Sequence, residues 1–238
     1  MKKTLVLTII GLLMVAVAPL SAYALDLGNN ITIFDGTANP TATNSWFRTQ
    51  EDNEVEPYAV TGQQWDLEGF FYNANTAVLS MVGGFDFANG VEGVTAGDLF
   101  VDVDGGGYDY VMALNYAGLE YSLYQITADT VLTLADEPTM QASNPVSYDS
   151  LGIYLGSDSF LYTTGLTDAD VGFTGDYHNL VQFDLALLSQ FADLSNFTVH
   201  STMTCGNDNL MGHYPVPEPA SMALFGLGLL GVFTRKRK

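Results

Sequence analysis

Residues 99–115 read Leu-Phe-Val-Asp-Val-Asp-Gly-Gly-Gly-Tyr-Asp-Tyr-Val-Met-Ala-Leu-Asn. Before the glycines the run is aromatic and β-branched, as strands prefer. After them Tyr108, Tyr110, Met112 and Leu114 take alternate positions, so they share one face of an extended chain. Gly105, Gly106 and Gly107 carry no Cβ to resist a tight reversal. The stretch therefore predicts two strands and a turn, a β-hairpin.

The same pattern continues in both directions. Short runs rich in Val, Leu, Phe, Tyr and Thr occupy 67–72, 77–82, 99–103, 108–115, 121–126, 131–134, 152–155, 160–163, 180–185 and 197–204. Breaks separate them at Gly83-Gly84, Asn89-Gly90 and Gly156-Ser157-Asp158. Only residues 185–194 invite a helix, and no repeat of 20–50 residues recurs. The expectation is all-β: a single β-sandwich or jelly-roll-like domain over residues 25–214.

Composition narrows the function. Of 238 residues 47% are hydrophobic and 14% charged, so the chain is built to form a core. Seven Lys+Arg face 27 Asp+Glu, a net charge of −20. Nucleic acid is excluded as a partner, because phosphate neutralisation needs a basic face. One cysteine excludes an internal disulfide framework and a multi-cysteine zinc site. The cations also lie almost wholly at the ends. Lys2 and Lys3 open the chain, Arg235 to Lys238 close it, and only Arg48 lies between. Glu218 is the single acid outside 25–214, so that body holds 26 acids and one cation. Such self-repulsion calls for screening salt or divalent cations.

The ends are processing segments. Residues 1–24, MKKTLVLTIIGLLMVAVAPLSAYA, combine a basic start, an apolar stretch and Ala22-Tyr23-Ala24, a small-x-small cleavage site. They predict a signal peptide cut after Ala24 by signal peptidase. At the other end come Pro217-Glu218-Pro219, an uncharged apolar run over 220–234, and the four closing cations. As a helix that run spans about 22 Å, short for a hydrocarbon core near 30 Å, so the basic side chains reach out to the headgroups. The cations place this end in the cytoplasm, which makes the precursor cross the inner membrane once.

This order of Pro-Glu-Pro, short apolar helix and basic tail resembles a PEP-CTERM sorting signal over residues 215–238. The resemblance implies recognition by exosortase, a membrane-embedded cysteine enzyme of Gram-negative bacteria. It also implies cleavage near Pro217, Glu218 and Pro219, and delivery to the cell surface, often beside exopolysaccharide. Two prolines suit this, since they keep the segment extended and open to a processing enzyme. His200 to Asp208, with its His-x-Thr-x-x-Cys-Gly-Asn-Asp spacing, is similar to a stretch of some exosortase-sorted proteins.

Within the body, Asp98, Asp102, Asp104 and Asp109 surround the glycine turn and offer the hard oxygens that Ca²⁺ needs, although the spacing is not that of an EF-hand. A solvated hairpin is the alternative. His200 and Cys205 point to opposite faces of one strand, which opposes a nucleophile pair or shared metal, and leaves a thiol expected to be buried. Asp66 and Glu68 form a carboxylate pair, one of many in so acidic a chain. Exposed aromatics suit sugar stacking. The chain has no Gly-x-Ser-x-Gly, no His-Glu-x-x-His and no P-loop, and the body lacks lysine. The expectation is a surface or matrix protein with a structural or adhesive role linked to exopolysaccharide or biofilm. The alternative is a secreted carbohydrate-active enzyme or a Ca²⁺-dependent carbohydrate-binding module.

Overall fold

A computed structural model describes residues 25–33, 59–135, 140 and 143–215. The leader, Arg48, the 220–234 run and the basic tail lie outside them, and no helix among the described residues is long and apolar enough to cross a membrane.

The described chain is all-β. Its strands are β1 (Asn29–Asn30), β2 (Thr32–Ile33), β3 (Leu67–Asn73), β4 (Val78–Gly83), β5 (Leu99–Asp102), β6 (Tyr110–Asn115) and β7 (Glu120–Gln125). There follow β8 (Val131–Thr133), β9 (Ser147–Ser150), β10 (Ile153–Leu166), β11 (His178–Asp184), β12 (Phe197–Thr202) and β13 (Asn209–Tyr214). One turn of helix, α1 (Asp168–Val171), joins β10 to β11. Eleven strands make one antiparallel sheet in the order β1-β3-β4-β11-β10-β7-β6-β5-β12-β13-β2, and β8 pairs with β9 apart from it.

The two outer members of that order are consecutive in sequence, and Ile31 between them closes the sheet. Its N–H donates to the Phe70 carbonyl of β3 at 2.9 Å. Its own carbonyl accepts from His213 N–H of β13 at 2.7 Å. One residue thus pairs with both sides, and its side chain is 1% exposed in the core. Closure of this kind removes the unpaired strand edges that invite aggregation.

A second bend lies in β10. Residues 153–159 pair with β7, and residues 160–166 pair with β11. The sequence reading expects two strands here, split by a turn at Gly156-Ser157-Asp158. Those three residues instead stay in the ladder opposite Leu123, Ser122 and Tyr121. The register shifts between Tyr154 and Gly156, and Gly156 has φ +152°, a backbone bulge open to glycine. A bulge twists a strand without ending it, which suits a strand that serves two neighbours.

Phe70, Leu79, Met81, Leu99, Val101, Met112, Tyr121, Leu123, Phe183 and Val199 fill the interior. Tyr110 and Met112 join this core as the alternation predicts. Phe100, Val111 and His200 lie outside it and are nonetheless 1% exposed or less. The segment with β8 and β9 docks on this outer side: Asp98 N–H donates to the Val146 carbonyl, and Ser143 Oγ–H to the Gly206 carbonyl. The helix expected over 185–194 is only a 3₁₀ turn at Leu188–Gln190.

Candidate functional site

The β5–β6 hairpin forms where the sequence places it, and its aspartates build the turn. Asp102 Oδ1 accepts from Asp104 N–H at 3.1 Å and Gly105 N–H at 2.6 Å. Asp104 Oδ1 accepts from Gly106 N–H at 2.7 Å, and Asp109 Oδ2 from Val103 N–H at 2.8 Å. One carboxylate oxygen from each of Asp102, Asp104 and Asp109 lies within 4.8 Å of the others. Three hard, anionic oxygens so close together match the donor chemistry of Ca²⁺.

Asp98 does something else. It is 8% exposed, and its carboxylate ties two elements together: Oδ1 accepts from Leu114 N–H of β6, and Oδ2 from Tyr148 N–H of β9, at 2.8 and 2.7 Å. Burial raises its pKa to about 6 despite these two bonds. It clamps the β8–β9 hairpin onto the sheet and stands apart from the three-aspartate turn. Strand periodicity alone cannot separate these roles, because Asp98, Phe100 and Asp102 share one strand face.

The carboxylate pair Asp66 and Glu68 is buried, at 1% and 0% exposure. Glu68 meets His178 Nδ1 at 2.7 Å and also accepts from Gln63 Nε2 at 2.7 Å. His178 Nε2 meets Asp168 Oδ1 at 3.0 Å. A carboxyl group thus faces each ring nitrogen of His178. The histidine bond, first among its causes, holds the Asp168 carboxyl below its usual range. Sequence reasoning missed this bridge because its partners are 110 residues apart. A usable signal existed: the described residues contain no Lys or Arg, so the only side chains among them that offer a basic nitrogen to a buried carboxylate are His178, His200 and His213.

His200 and Cys205 do not form a pair. His200 is 1% exposed and stacks on Tyr108 and Phe100, with ring centroids 5.4 and 5.9 Å away. Burial depresses its pKa to about 4, so the ring is neutral at pH 7. Cys205 is half-buried in the β12–β13 turn, and burial raises its thiol. A raised thiol is the opposite of an activated nucleophile. Outward-facing aromatics do occur together: Tyr124 stacks on Tyr148 at 4.1 Å and meets Tyr154 at 5.5 Å.

Residues 215–238 match the PEP-CTERM protein-sorting motif, as the sequence resemblance implies. No curated protein and no solved structure matches the chain. The matched motif begins one residue after β13 ends at Tyr214. The chain thus ends in the sorting signal of exported, exosortase-processed proteins.

Proposed function

We propose that this chain is an exported cell-surface or extracellular-matrix protein of a Gram-negative bacterium, with a structural or adhesive role beside exopolysaccharide. The 215–238 match supports the export and sorting part of this reading. The precursor is held in the inner membrane by the 220–234 run, and signal peptidase releases residues 1–24 after Ala24. Exosortase then acts near Pro217, Glu218 and Pro219, freeing a β-sandwich body of residues 25–214. Pro217 lies three positions beyond the end of β13, so the enzyme works close against the folded body. Glu68 closed in by His178 and Gln63, and Cys205 with a raised thiol, favour a body without catalysis.

Replacing Pro217, Glu218 and Pro219 by alanine should leave full-length protein in the inner membrane, read by fractionation and immunoblot. Release equal to that of the native sequence overturns the processing assignment.

The three convergent oxygens of Asp102, Asp104 and Asp109 favour one addition: Ca²⁺ bound at the β5–β6 turn. Together with the tyrosines of β7, β9 and β10, it suits a Ca²⁺-dependent sugar-binding surface.

A further inference from the structure

The structure contains a receptor for a charge that the precursor does not yet have. Leu25 N–H donates to the Asp170 carbonyl of α1 at 2.9 Å. Two residues on, Leu27 is 5% exposed and packs with Val82, Val171 and Leu180. Gly28 then runs so close to β3 that a Cβ there would lie 2.6 Å from the Tyr72 carbonyl carbon. Asn29 and Asn30 pair with β3, and Ile31 closes the sheet. The first residue after the Ala24 cleavage point therefore opens the segment that leads into β1, and its backbone is anchored on α1.

In the precursor the Leu25 nitrogen is a neutral amide with one proton to donate. Hydrolysis after Ala24 breaks that peptide bond. Water supplies the hydroxyl to the Ala24 carbonyl carbon and a proton to the Leu25 nitrogen, which takes a further proton from solvent. The product is an α-ammonium with three donors. The titratable groups of the neighbouring elements include Asp26 in the same segment, Glu68 and Tyr72 on β3, Asp168 and Asp170 on α1, Asp176 in the loop and His178 on β11. Five of these are carboxylic acids, and the described residues offer no Lys or Arg to compete. A charged donor roughly doubles the strength of a hydrogen bond to a carbonyl.

We propose that leader removal creates an internal cation for this acidic fold: the Leu25 α-ammonium, held by the Asp170 carbonyl among the α1 aspartates, fastens the strand that closes the sheet. Export processing then tightens a closure that the uncleaved chain already makes. The inference rests on the cleavage reading, and its test separates the two.

Residues 25–235 contain no lysine, so amine reagents mark the processed terminus within them. Protein recovered from the producing cells is first sequenced from its N-terminus. It is then treated in two ways, with ¹³C-dimethylation keeping the charge and acetylation removing it. The dimethylated amine should titrate by NMR at least about one unit above the ordinary α-amino value of about 7.7–8.0. The acetylated protein should melt several degrees below the dimethylated one. A Leu25 terminus with an ordinary titration and equal melting temperatures overturns the receptor while leaving the leader reading intact. A terminus other than Leu25 overturns both.

Discussion

Asp98 and His200 respond to acid in opposite directions, although both are buried near the same outer face of the sheet. His200 titrates at about 4 in the fold against an ordinary 6.5, so between those values the unfolded chain binds the proton that the folded chain refuses. Its contribution is complete above pH 6.5 and is lost as pH falls toward 4. Asp98 titrates at about 6 against an ordinary 3.8, so the fold holds the extra proton, and stability is gained as pH falls through that window. The His200→Phe variant keeps the aromatic stack without the protonation cost. It should gain about 2 kcal/mol relative to native protein at pH 5 and little at pH 8, measured by urea denaturation at both. An equal change at both pH values contradicts the neutral, buried imidazole. At this scale the sequence was a partial guide. It placed Asp102, Asp104 and Asp109 together and kept His200 from Cys205, but residue type carries no sign of burial, and Asp98 reads like its solvent-facing neighbours.

The β8–β9 hairpin shows what one such residue does for an element. Its hold on the sheet includes the Tyr148 N–H bond to Asp98, which Asp98→Ala removes together with the bond from Leu114. Hydrogen bonds to a charged group are worth about 1.5–3 kcal/mol each. The Tyr148 amide should therefore exchange with deuterium roughly ten- to a hundredfold faster in the variant, while Leu79 and Val181 in the core keep their protection. Unchanged exchange at Tyr148 contradicts the clamp. Elements with Val, Leu, Phe and Tyr on alternating positions were legible in the sequence, as in β3 to β7 and β11. Those that pair through glycine and polar residues were not. β9 is Ser-Tyr-Asp-Ser, and β13 includes Gly212, where a Cβ would come within 3.0 Å of both Phe70 and Val199. The close approach that makes this strand possible is the same feature that hides it from propensity. The unbroken β10 follows the same logic, since Gly156 reads as punctuation and acts as a bulge.

Taken as one object, the described residues form an all-β shell within a stretch, residues 25–214, that holds 26 acids and one cation and is followed by a sorting motif. Salt of any kind should raise its melting temperature by screening. Calcium should raise it further at matched ionic strength: at a hundred times its Kd the added stability is about 2.7 kcal/mol, several degrees for a domain of this size. The double variant Asp102→Ala/Asp104→Ala should lose that excess and keep the salt response. Equal calcium and sodium curves in the native protein would reduce the aspartate turn to a solvated hairpin. The all-β class and the sorting motif were both visible in the sequence, one from hydrophobic alternation and the other from the order of its parts. The closure through Ile31 was not, because it depends on a single residue bonding in two directions. Intact mass spectrometry of the protein recovered outside the cell addresses the processing account most directly. The account predicts a chain that begins at Leu25 and stops near Pro217-Glu218-Pro219; an extracellular chain still carrying Lys238 would contradict it.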